Sequence, residues 1–106
     1  MAKYMLVYHG GSGAPASDAE REAETAAWTG WFTGLGSATV DRGNPTAQAM
    51  TVASDGSVSD GGGANPTTGY SILSAGSFED AVAAAKGCPH LRGGGSVEVA
   101  EIFETM

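Results

Sequence analysis

Hydrophobic and polar positions divide this chain into segments of two different periods. Tyr4, Leu6 and Tyr8 alternate with Met5, Val7 and His9. Both sets are largely apolar or aromatic, so Lys3 to His9 reads as a strand buried on two sides, at the centre of a sheet. After the break at Gly10 to Ala16, Ser17-Asp18-Ala19-Glu20 has the Ser-x-x-Glu spacing of a capping box, with acids in the first turn where the helix dipole favours them. The helix is expected from Asp18 to about Leu35. Ala27, Trp28, Trp31, Phe32 and Leu35 form its apolar face, Glu20, Arg21, Glu22 and Glu24 its solvated first turns, and Gly34 and Gly36 its stop.

In the middle, Gln48 to Ala53 carries apolar and β-branched residues suited to a second strand. Ser54 to Thr68 is a run of Gly, Ser, Asp, Asn and Pro that reads as loop, and a connection of that length is usually functional or disordered. Gly69 to Ala75 resumes as a strand. Ser77-Phe78-Glu79-Asp80 repeats the cap, and Phe78, Ala81, Val82 and Ala85 make a narrow apolar helix face. Gly87 is expected at C′, before Cys88-Pro89 and a final strand from Ser96 to Phe103. The order βαββαβ predicts an α+β, ferredoxin-like sandwich: an antiparallel sheet with both helices on one face.

Strand directions in that fold place the end of the first strand, the loop joining strands two and three, and the loop after the second helix at one edge. His9, the Asp55 to Thr68 loop and the His90 segment should meet there, framed by Asp60, Asn65 and Arg92. The Asp41 to Pro45 loop should lie at the opposite edge.

Length and charge narrow the function. The 106 residues make one domain, residues 1–106, whose apolar surface association with a second copy would help to cover. Five Lys plus Arg against twelve Asp plus Glu give a net charge of −7, which leaves no basic stripe for nucleic acid and no attraction to an anionic membrane surface. One cysteine forms no intramolecular disulfide and no Cys-x-x-Cys metal cluster. The short apolar run before His9 is neither a signal peptide nor a membrane span, so a cytoplasmic protein is expected.

The candidate chemistry is sparse. Gly11-Ser12-Gly13-Ala14-Pro15-Ala16 imitates a dinucleotide-binding glycine loop, but Pro15 removes one N–H and no acidic ribose partner follows. It reads as a flexible connection, and Gly61 to Gly63 and Gly93 to Gly95 read as turns. Cys88, beyond a helix C-terminus, faces the negative end of the dipole and makes a poor nucleophile. Trp28 and Trp31 read as core, although an aromatic from this helix could line a pocket in a barrel-like dimer. No metal site or cofactor is indicated. The histidines, which titrate near neutral pH, are the proton-transfer candidates.

The residues Tyr4-Met5-Leu6-Val7-Tyr8, Trp31 on the first helix, Asp60-Gly61, Gly69-Tyr70, Cys88-Pro89 and the stretch from Gly94 to Val99 together resemble YCII-related proteins. The similarity is to the branch named for an Asp-Gly-Pro-Phe sequence, and it covers nearly the whole chain. It implies a ferredoxin-like fold pairing into a dimeric α+β barrel through open sheet faces, with a function unassigned for most members. Two departures stand out. Gly62-Gly63 replace Pro-Phe in the namesake motif, and the first helix lacks the histidine of the His-Asp pair suggested as catalytic in the founding branch.

Two functional classes follow. One is an enzyme of unassigned substrate using His90, with His9, as general acid or base, Asp60 or Asn65 orienting the substrate, Arg92 holding an anionic group and Trp31 lining the pocket. The other is a non-catalytic ligand-binding or accessory dimer with the same pocket, or a purely structural module.

Overall fold

The structure, a computed structural model, describes residues 1–104 apart from 12 and 14. Positions 12 and 14 of the glycine-rich connection thus lie outside the described residues. The elements run β1 (Ala2–His9), α1 (Asp18–Leu35), β2 (Thr39–Asp41), β3 (Met50–Val52), β4 (Val58–Asp60), β5 (Thr67–Ala75), α2 (Phe78–Ala85) and β6 (Ser96–Glu101), with short 3-10 turns at Gly36–Ala38 and Pro89–Gly93. Four strands form an antiparallel sheet in the order β2-β5-β1-β6, while β3 and β4 form a separate hairpin. This is an α+β architecture compatible with a ferredoxin-like sandwich.

Both helices begin as their caps dictate. The Ser17 hydroxyl accepts the Glu20 N–H at 3.2 Å, and the Ser77 hydroxyl accepts the Asp80 N–H at 3.1 Å. Gly36, at φ +57, closes α1 by donating to the carbonyls of Phe32 and Thr33. Gly87 follows the Lys86 cap of α2 at C′, as expected, without a left-handed conformation, and Gly94 after the Pro89 turn is left-handed instead.

The core lies between the helices and one face of the sheet. Tyr4, Leu6 and Tyr8 of β1 pack with Leu73, Ala81, Ala85 and Cys88, and Trp28, Trp31 and Leu35 close over them. The small alanines of α2 let the helix approach the sheet closely. Trp31 crosses to α2 and donates its indole N–H to the Ala84 carbonyl at 3.2 Å. β1 is central, as expected; its helix-facing side is buried, and its outer side is covered only toward the His9 end. Met5 is 38% exposed, and it shares the outer face with its register partners Ile72 and Ala100.

The second sheet strand is Thr39–Asp41, not Gln48 to Ala53. Met50–Val52 instead pairs with Val58–Asp60 around an Asp55-Gly56 turn, where Asp55 Oδ1 accepts the Ser57 N–H at 2.9 Å and Gly56 sits at φ +89. Val58–Asp60 and the first two residues of β5, a third of the expected Ser54 to Thr68 loop, are therefore strand. The earlier β2 also reverses the expected place of the Asp41 to Pro45 segment. It continues along β5 to the His9 end of the sheet, where Pro45 bridges Gly69 and the Tyr70 N–H reaches the Asn44 carbonyl at 3.3 Å.

That segment turns tightly at Gly43, whose φ is +71 and where a Cβ would overlap the Tyr70 carbonyl oxygen. Gly43→Ala is expected to cost more than about 1 kcal/mol, or a fall in Tm of roughly 4–8 °C per kcal/mol in a domain of this size. Gly30, within α1 with nothing near its missing Cβ, should behave oppositely, and Gly30→Ala should gain about 0.8–1.0 kcal/mol from helix propensity. Thermal melts of the two variants check the contrast. Equal melting would show that the Gly43 turn relaxes freely.

Candidate functional site

The end of β1 gathers three chain segments. Thr67 and Gly69 of β5 lie beside His9 and Tyr8, Ser96 of β6 lies across from His9, and the Pro89–Gly93 turn packs over the helix side. Pro89 holds Cys88 extended, at φ −68 and ψ 131, and the Leu91 N–H closes the turn on the Cys88 carbonyl at 3.2 Å. The turn sets the His90 ring against Tyr8, with ring centroids 5.4 Å apart.

His90 Nε2 donates to the His9 backbone carbonyl at 2.9 Å. In the neutral ring this places the proton on Nε2 and leaves a lone pair on Nδ1. Nδ1 has no hydrogen-bond partner among the described residues. The glycines around it are needed for fit: a Cβ at Gly11 would come within 2.9 Å of His90 Cε1, and one at Gly95 would overlap the ring. Gly95, the last of the Gly93 to Gly95 run, is thus a seat for His90 as well as part of a turn.

His9 lies at the same edge but its ring is on the other face of the sheet. Tyr8 faces the helices, so His9 alternates outward, and it meets Glu98, whose register partner is the outward Val7. Nε2 lies 3.0 Å from Glu98 Oε1 and Nδ1 lies 3.2 Å from the Pro66 carbonyl. Both partners only accept, so the doubly protonated ring satisfies both and a neutral tautomer leaves one lone pair facing another. The bond to Glu98 accordingly holds the His9 pKa above its ordinary value, against desolvation. His9 clamps the Asn65-Pro66 segment to β6, and only its backbone carbonyl takes part in the His90 arrangement.

On the helix side, His90 borders a cleft of about 800 Å³, within the size range of small-molecule sites. Tyr8, Trp28 and Phe32 form its aromatic wall, Pro45 and Pro89 lie at its rim, and Arg42 borders it with Arg21 and Glu24. Tyr8 and Trp28 meet edge to face at 5.2 Å. The Tyr8 hydroxyl donates to Ser71 Oγ at 2.6 Å, and Ser71 Oγ donates onward to the Arg42 carbonyl at 2.7 Å. Burial pushes the Tyr8 phenol above its usual range, and it also raises the Cys88 thiol. Both groups therefore stay protonated at neutral pH. His90 is the imidazole that lines the cleft, and among the described residues its Nδ1 has no hydrogen-bond partner.

The other expected site residues lie elsewhere. Asp60 pairs with Met50 in the hairpin, Asn65 brings backbone to His9, and Arg92 is exposed on the 3-10 turn. None of them lines the cleft, and Trp31 is engaged between the helices while Trp28 takes the cleft position. Arg42, Tyr8 and Gly95 were missed. The Arg42-Gly43 dipeptide carried a turn signal, but its place depended on the three-residue β2. Among the described residues no group of three or more His, Cys, Asp or Glu side chains is arranged to hold a metal ion, and no helix is long and apolar enough to cross a membrane. No protein-family model, curated protein or solved structure matches the chain.

The His9–Glu98 pair predicts a pH dependence of stability. A pKa raised on folding means that its contribution is fully present below about 6.5, the ordinary value, and is lost as pH rises through the raised value. Urea midpoints of wild type and Glu98→Gln should therefore differ more at pH 5.5 than at pH 8.5. A difference independent of pH would show that the pair carries no linked proton.

Proposed function

We propose that the chain is a YCII-like protein that binds a small molecule in the cleft beside His90 and uses His90 as general acid and base. The carrying observation is the His90 ring itself. It is oriented by the His9 carbonyl, seated between glycines and left, among the described residues, with an unengaged Nδ1 at the edge of an aromatic cleft. A proton acceptor fixed in this way needs no reorganisation before it acts on a bound C–H or O–H group. The reading includes a ferredoxin-like fold that pairs into a dimeric α+β barrel, in a cytoplasmic setting that suits the single free thiol of Cys88. Met5, Val7, Tyr70, Ile72 and Ala100 support the pairing, since they form an apolar stripe across β1, β5 and β6 on the face away from the helices.

One observation favours a second reading, a binding protein without turnover. Asp60 and Asn65, the polar residues expected to orient a substrate, stand outside the cleft. A thermal-shift screen of metabolites identifies ligands of the folded state, and His90→Gln then separates the readings. The enzyme reading predicts a loss of about 10²- to 10⁴-fold in kcat with the substrate still bound. Ligands bound without turnover, with affinity indifferent to His90→Gln, would favour the binding protein.

Pairing has its own test. Light scattering should give the mass of a dimer at micromolar concentration, and Ile72→Asp, at the centre of the outer face, should give a folded monomer. A wild-type monomer at that concentration would contradict the interface.

A further inference from the structure

We propose that the ligand class of the cleft is a small organic carboxylate with a planar, unsaturated body, and that Arg42 is the residue that selects it. The proposal rests on the reading of the cleft as a small-molecule site but not on any proton transfer by His90. It begins with charge. The chain has five Lys plus Arg and a net charge of −7, yet Arg21 and Arg42 both border this cleft, with Glu24 as a carboxylate beside them. Arg21 is engaged with Asp18 at 3.1 Å. Arg42 has no carboxylate within ion-pair distance among the described residues.

Its guanidinium lies over the Phe32 ring, 5.4 Å from the centroid. An aromatic face attracts the cation but takes none of its N–H donors, so the fork of the guanidinium keeps its hydrogen bonds for a planar anion. The backbone beneath it is fixed from several sides. Asp41 Oδ1 accepts the Gly43 N–H at 2.8 Å, Gly43 packs against the Tyr70 carbonyl, and Ser71 gives its hydroxyl proton to the Arg42 carbonyl. Ser71 is 0% exposed, and a hydroxyl in the middle of an apolar core is retained only where its hydrogen bonds are needed. Here it joins Tyr8, in the cleft wall, to the turn that carries Arg42. Trp28 and Phe32 supply flat apolar surface between that cation and His90. A neutral apolar ligand would cover the guanidinium without pairing it, whereas a carboxylate would pair it and leave the planar body on the aromatic wall.

Benzoate and benzamide test this directly, since they share ring and shape and differ in charge. Calorimetric or NMR titration of the wild-type protein should show benzoate binding at least 10-fold more tightly than benzamide. Arg42→Gln should bring benzoate down to the benzamide level, Arg42→Lys should retain part of the preference, and Arg92→Gln, outside the cleft, should retain all of it. Equal binding of the two probes, no binding of either at millimolar concentration, or a preference that survives Arg42→Gln would overturn the proposal. No turnover is read, so failure of His90 as an acid–base group would leave the benzoate preference standing, and failure of the preference would leave His90 to be judged by its own variant.

Discussion

The hydrogen bond between His90 Nε2 and the His9 carbonyl joins positions 81 residues apart, and the site takes its form from it. The acceptor is the backbone carbonyl of the last residue of β1, and the bond fixes at once the tautomer, the plane and the direction of the imidazole. The glycines at positions 11 and 95 follow from the same contact, because the ring occupies the space in which their side chains would lie. The Cys88-Pro89 start of the 3-10 turn delivers the ring to that place.

Behind this contact stands the alternation of β1. Its central position gives each face of the sheet a separate use. Tyr4, Leu6 and Tyr8 build the core and the aromatic wall, while Met5, Val7 and His9 face outward. The rings of the two histidines thus lie on opposite faces of the sheet. His9 spends both ring nitrogens on holding Pro66 and Glu98, and its carbonyl on holding His90. The chain from Tyr8 through Ser71 to Arg42 extends the same order across β5, so the cleft's tyrosine, its cation and its imidazole are all referred to the paired core strands β1 and β5.

Much of the framework was legible in the sequence because two signals coincided at each well-read element. α1 and α2 had both helical period and a Ser cap, and β1, β5 and β6 had alternation bounded by Gly, Ser or Pro. β2 was not legible, since three residues carry no period and only pairing with β5 defines them. The Met50–Asp60 hairpin did carry a signal, an Asp-Gly turn between β-prone segments, which was masked by the surrounding glycines. For the site, the edge was readable from strand direction, and both histidines do reach it. The faces were not, because they depend on register: His9 turned outward, Asp60 stayed in the hairpin, and Arg42 arrived from a segment expected at the far end.

The ring nitrogens of His90 report most directly on this arrangement. Long-range ¹H–¹⁵N correlation of the imidazoles should show neutral His90 with its proton on Nε2, slow to exchange, and a free, unprotonated Nδ1. The proton on Nδ1, or averaged shifts of a ring exchanging freely between tautomers, would contradict a His90 fixed by the His9 carbonyl and with it the site built around that bond.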